Sequence, residues 1–166
     1  MPSAPPPAPD GRLVPVHDTH LFIVERGPAE ALPVLVLGGD ANPELADALD
    51  SLTTRYRLVL VDLRAQGRSA QDSDPHSWTL SQHASDVSAV AAAIGVERYA
   101  VLGHGSGAPV ARQHATDAPG AAVATVISSD DAAEPPQPGQ PLLTLTGQAN
   151  EQWVQAVGDF LDRATA

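Results

Sequence analysis

Cysteine is absent from the 166 residues, and so is lysine. The first absence excludes a disulfide framework and thiolate chemistry. The second excludes a phosphate loop of the G-x-x-x-x-G-K-[ST] type, whose lysine reaches the terminal phosphates. Aromatic residues make up only 4% of the chain against 43% hydrophobic, so the core has to be built from alanine, valine and leucine. Positive charge is scarce: 9 basic residues face 20 acidic ones, for a net charge of −11. Such a surface repels nucleic acid and anionic lipid, and neither is expected as a partner. No apolar run is long enough to span a membrane, and the N-terminus lacks the basic and apolar regions of a signal peptide, so the expected location is cytoplasmic. Arginine without lysine, with abundant alanine and proline, points to a GC-rich genome.

What is there predicts an α/β protein of one domain. Residues 1–10 are proline-rich and read as a disordered tail, with residues 11–166 as the single domain. Leu13–Val16 and Leu21–Glu25 read as strands around a turn at His17-Asp18-Thr19, and Pro33–Leu37 as a buried strand ending at Gly38-Gly39. Asn42 and Pro43 open a helix on which Leu45, Leu49 and Leu52 recur at helical spacing. Arg57–Val61 is the next strand. Ser81–Gly95 reads as a helix with Leu80, Ala84, Val87, Val90, Ala91 and Ile94 on its buried face. Tyr99–Leu102, Val123–Ile127 and Leu142–Thr146 follow as strands. Helices follow from Ser106 to about Thr116 and over Glu151–Arg163, the last burying Trp153, Val157, Phe160 and Leu161. Strands that are apolar throughout and alternate with helices imply a mostly parallel sheet covered on both faces.

The sharpest local feature is Val101-Leu102-Gly103-His104-Gly105-Ser106-Gly107-Ala108. A strand enters a tight, glycine-rich turn that opens a helix, the context of a G-x-S-x-G nucleophile elbow. Gly103 and Gly107 are the small flanking residues, but the central position is Gly105, which has no side chain with which to attack. Shifting the frame to make Ser106 the nucleophile puts His104 where a small residue is needed. A dinucleotide fingerprint does not fit either, because Ala108, Pro109 and Val110 follow the glycines.

Taken with its neighbours, this motif resembles the α/β-hydrolase superfamily. Val34-Leu-Val-Leu-Gly-Gly39 is similar to the strand that carries half of the family's oxyanion hole. Asp62-Leu-Arg-Ala-Gln-Gly-Arg-Ser69 is similar to the D-x-R-G-x-G-x-S loop, and the Ser81–Gly95 helix, with Asp86 in it, to the helix before the elbow. The likeness runs over about residues 34–128 and again over 142–161. It implies an α/β-hydrolase-like core without a lid domain, the lid being reduced to the Ser128–Pro141 loop. It also implies a missing triad: Gly105 stands for the nucleophile, Asn150 for the acid, and no histidine follows His114. Loss of a Ser/His unit costs on the order of 10^6 in kcat, leaving roughly 10^3–10^4 over water.

The resemblance leaves an oxyanion hole made by the N–H groups of Ser106 and Asp40, with Gly39, Asp40, Gly105 and Ser106 lining the substrate site. Such a hole can polarise a carbonyl, and with an acid or base it supports proton transfer, elimination or ring closure. Asp40 and the neighbouring pair Asp130 and Asp131 are the carboxylate candidates; the bland reading of each, a solvated turn or loop residue, is the favoured one. His104 is a fourth acid/base candidate, its favoured role being support for the turn. Asn150 could bond a ligand or cap the last helix. His76 and Trp78 border the mouth or belong to surface and core, and Arg64 braces its loop. His17 and His20 form an H-x-x-H pair too sparse for a metal site, so neither metal nor cofactor is expected. The expected function is binding of a carbonyl-bearing small molecule, with a cofactor-free lyase, isomerase or cyclase step in polyketide-like secondary metabolism. The alternative is an inactive pseudo-hydrolase acting as a binding partner in a homodimer or heterocomplex.

Overall fold

The computed structural model describes residues 11–37, 43–64, 79–128, 141–145 and 151–165. They form a seven-stranded sheet in the order β1-β2-β4-β3-β5-β6-β7. The strands are β1 (Arg12–Val16), β2 (Thr19–Arg26), β3 (Leu32–Leu37), β4 (Tyr56–Val61), β5 (Tyr99–His104), β6 (Ala122–Ser128) and β7 (Leu142–Leu145). The hairpin β1–β2 is antiparallel and β2 meets β4 antiparallel; every pairing from β4 to β7 is parallel. The fold is the mostly parallel α/β sheet expected from the apolar strands.

Helices lie on both faces. On one, α2 (Leu80–Ala93) and α3 (Ala108–Asp117) bury Val87, Val90 and Ala111 against Leu35, Leu37, Val101 and Ile127. On the other, α1 (Pro43–Ala48) and α4 (Glu151–Ala164) bury Leu45, Trp153, Val157 and Leu161 against Val34, Val36, Leu102 and Val126. Consecutive residues of β3 therefore serve opposite faces, which is why Leu32–Leu37 carries no polar alternation.

Three local expectations are corrected. The helix expected to run through Leu52 stops at Ala48 and gives way to a 3-10 turn over Asp50–Thr54. Thr53 and Thr54 donate their hydroxyls to the carbonyls of Asp50 (2.6 Å) and Ser51 (3.2 Å), a local alternative to the α-helical ladder. Leu45, Leu49 and Leu52 are buried all the same. Leu80, expected on the buried face of α2, is 46% exposed: it is the first helical residue, and the sheet-facing stripe starts at Ala84. Thr79 caps this helix by accepting the Gln82 N–H at 3.1 Å. Finally, β5 runs on through His104, and α3 begins at Ala108, after a 3-10 turn over Gly105–Gly107.

The proline-rich tail (1–10) and the loop in place of a lid (129–140) lie outside the described residues. Among the described residues, no helix is long and apolar enough to cross a membrane.

Candidate functional site

The strand order fixes where a site can form. From β3 the chain crosses to β4 on one side; from β5 it crosses to β6 on the other, while β3 and β5 lie side by side. Connections that diverge from neighbouring parallel strands open a crevice at their carboxyl ends, the usual ligand position in such sheets. Here that point lies beyond Leu37 and Gly103, which are partners in the β3–β5 register.

Glycines let the two sides of the crevice approach. A Cβ on Gly107 would collide with the carbonyl of Leu37, and one on Gly103 with the backbone of Gly107 and the methyl of Ala111. The turn after β5 is thus pressed onto the end of β3 and onto the first residues of α3. Between these contacts His104 is still extended, with φ −125° and ψ 137°, and the chain reverses at Gly105.

Gly105 has φ +58°, in the left-handed region, and a Cβ built on it would meet nothing within 4 Å among the described residues. This is the geometry of a nucleophile elbow, in which the central residue takes the left-handed turn and its side-chain direction leaves the described backbone. The direction is present and the nucleophile is not. Ser106 follows, exposed, in the 3-10 turn. Its N–H belongs to the first turn of the helical run, whose donors have no intrahelical partner and suit a developing negative charge.

His104 is tied into the frame beneath the turn. Its Nδ1 shares a 3.0 Å hydrogen bond with Ser128 Oγ at the end of β6. The same oxygen accepts the Trp153 indole N–H at 3.0 Å, and the Trp153 ring stands edge-on to His104 at 6.0 Å between centroids. Ser128, fully buried, therefore joins the elbow to α4. Sequence reasoning missed it, because a serine closing an apolar strand carries no local signal.

Arg64 braces the loop after β4. It is 4% exposed and donates through Nε and Nη2 to Asp86, itself fully buried, at 2.6 and 3.1 Å. It also donates to Asp18 in the β1–β2 turn at 2.9 Å. The hydrogen bond that Arg64 donates to Asp86 raises the Arg64 pKa above its already high value, and the bond from Arg64 lowers that of Asp18. Asp86 also accepts from Gln82 (3.2 Å). His17, at φ 52° in the same turn, reaches Ser85 at 3.0 Å, while His20 stands exposed on β2. The structure thus brings together His104, Gly105 and Ser106. Gly39, Asp40, His76, Trp78, Asp130, Asp131 and Asn150 lie outside the described residues.

The comparisons agree with this fold. Residues 28–166 match the model of the α/β hydrolase fold. Among curated proteins, "Putative carbamate hydrolase RutD" of Enterobacter cloacae is 36% identical over 60% of the chain and 38% of its own length. The protein of that name from Caulobacter sp. is 35% identical over 51% of the chain and 32% of its own length. Among solved structures, a proline iminopeptidase-related protein from Thermus thermophilus superposes with a TM-score of 0.64 at 31% identity, over 72% of this chain and 44% of that one. An epoxide hydrolase from Vigna radiata gives 0.64 at 28% identity, over 78% and 40%. The chain spans less than half the length of each of these relatives. With most of its length matched by the family model and the elbow built as the family builds it, this chain belongs to the α/β hydrolase fold family.

Proposed function

We propose that the protein is a non-hydrolytic member of its family, binding a carbonyl-bearing small molecule in the crevice between the ends of β3 and β5. The observation that carries this reading is Gly105: the elbow keeps its left-handed turn but holds no nucleophile. Donors in the first turn after β5 survive loss of the serine side chain, because they belong to the backbone. A site with donors and no nucleophile favours a carbonyl or an enolate over an acyl-enzyme. The carbamate named for the curated relatives is itself a carbonyl compound, which supports the ligand class. With Asp40 or the Asp130/Asp131 pair as acid or base, the same site would run a cofactor-free lyase, isomerase or cyclase step, for instance on a polyketide-like metabolite.

The test is incubation of the purified protein with a metabolite extract of its source organism, followed by mass spectrometry, alongside a fluorophosphonate probe. Catalytic loss of one carbonyl compound with an isomer or dehydration product appearing supports the reading, and Asp40→Asn or Asp130→Asn/Asp131→Asn should then slow it. Labelling of Ser106 by the probe would overturn it in favour of a hydrolase with a displaced nucleophile.

A second reading, a binding partner without catalysis, is favoured by β7. Among the described residues it pairs on one side only, with β6, and Leu142-Leu143-Thr144-Leu145 has neither charge nor proline to blunt the edge. Sedimentation showing a monomer at micromolar concentration would count against it.

A further inference from the structure

His104 and Ser128 are the last residues of β5 and β6, and they are partners in the parallel register of the two strands. Leu102 and Val126, two residues before each, lie in the core beneath α4, so strand alternation turns His104 and Ser128 to the same face. Among the described residues, Ser128 Oγ meets two groups: the Trp153 indole nitrogen at 3.0 Å and His104 Nδ1 at 3.0 Å. Ser128 is fully buried, so bulk water does not reach that oxygen.

The hydrogens of these three side chains can be counted. An indole nitrogen only donates, so the Trp153 hydrogen takes one lone pair of the Ser128 oxygen. Ser128 carries a single hydroxyl hydrogen, and of its two partners only His104 Nδ1 can accept it. Were Nδ1 to carry a hydrogen instead, Oγ would receive two donors, and its own hydrogen would be buried without an acceptor. Buried donors are rarely left so. Nδ1 is therefore the acceptor, and in the neutral ring the proton sits on Nε2.

We infer that Ser128 is a positioning residue that holds His104 as the Nε2–H tautomer, so that the ring beside the elbow gives a hydrogen bond and does not act as a base. To take up a proton, Nδ1 would have to turn donor, and Ser128 would have to withdraw a hydrogen that has no second acceptor among the described residues. A neutral N–H one residue before Gly105 adds to the donor character of the turn, whichever acceptor it meets. The consequence for chemistry rests on the carbonyl reading of the crevice: the base of a proton transfer there is a carboxylate and not His104.

The experiment is a long-range 1H–15N correlation spectrum of the whole protein without ligand, 15N-labelled at its six histidines. At about pH 8.5 an ordinary histidine ring is neutral, and His104→Gln identifies the His104 signals by their loss. The expected result is one tautomer, with a pyrrole-like Nε2 and a pyridine-like, hydrogen-bonded Nδ1. Ser128→Ala should move Nδ1 to the position of an unbonded pyridine-like nitrogen or bring in the Nδ1–H form, with the His114 signals in place as evidence of fold. Trp153→Phe removes the indole donor and should keep Nε2–H, because the Ser128 hydrogen still has His104 as its acceptor. A pyrrole-like Nδ1 in the parent or in Trp153→Phe, or an Nδ1 unmoved by Ser128→Ala, overturns the inference. Should the alanine variant fail to fold, the parent spectrum decides. A refuted tautomer leaves the carbonyl reading standing, and a metabolite extract without a hit leaves the tautomer standing, so the two fail separately.

Discussion

Asp86→Asn keeps the shape of the side chain and removes the charge that Arg64 is built around. In the native protein the guanidinium is 4% exposed, and Asp86 is its buried counter-ion, bonded through two nitrogens. After the substitution the counter-ion left to Arg64 among the described residues is Asp18, which is 79% exposed and holds one bond through Nη2. A pair so screened by water substitutes poorly for a buried one. Removing one partner of a buried pair costs about 3–5 kcal/mol, because the other charge stays desolvated. Against a typical total of about 5–15 kcal/mol, that is a third of the stability or more. Urea denaturation followed by tryptophan fluorescence should show a lower midpoint with an unchanged slope. Arg64→Met/Asp86→Leu should recover most of the loss, since neither side chain then needs solvating, and Asp18→Asn should be far milder than Asp86→Asn. A loss below about 1 kcal/mol for Asp86→Asn would refute the claim that this pair holds the loop after β4 to α2.

Gly105→Ser should fold, at a cost of about 1–2 kcal/mol for a left-handed non-glycine residue, and should show no burst of ester hydrolysis with p-nitrophenyl acetate. Gly107→Ala should be poorly soluble or strongly destabilised, because its methyl collides with the Leu37 carbonyl; a melting temperature matching that of the parent would contradict that packing. Burial lowers the His114 pKa, so the folded ring resists protonation that the unfolded chain accepts. This contribution to stability is complete above the ordinary value of 6.5 and shrinks as the pH falls below it, and His114→Gln should flatten the stability-versus-pH curve in that window. His83, also lowered by burial, should contribute in the same direction and keep some slope in the variant.

The fold was legible because its strands carry their own evidence. An unbroken apolar run such as Val34–Leu37 needs cover on both faces, and the two core clusters provide it. The elbow was legible because close backbone approach leaves glycine as the fitting residue, at Gly103 and Gly107. Side-chain pairing was less so. Arg64 was recognised as a brace, but its partners lie 22 and 46 residues away in the chain, and no local pattern names them. Ser128 stayed hidden for the same reason: its two bonds, to His104 and Trp153, exist only once β5, β6 and α4 are assembled. Helix limits slipped where short polar side chains compete for the backbone, as at Thr53 and Thr54.

The helix α4 has a consequence for how the chain is made. Trp153, Val157 and Leu161 cover the sheet face formed by Val34, Val36, Leu58 and Leu102, and Asp162 bonds both Arg55 and the Tyr56 hydroxyl. Those partners lie about a hundred residues earlier in synthesis. At about 5–20 residues per second, a ribosome leaves that face without its cover for several seconds after β4 has emerged. During that interval the growing polypeptide offers a leucine and valine surface that only α1 and the turn after it partly cover. Chaperone demand should therefore track the arrival of α4 rather than the completion of the sheet.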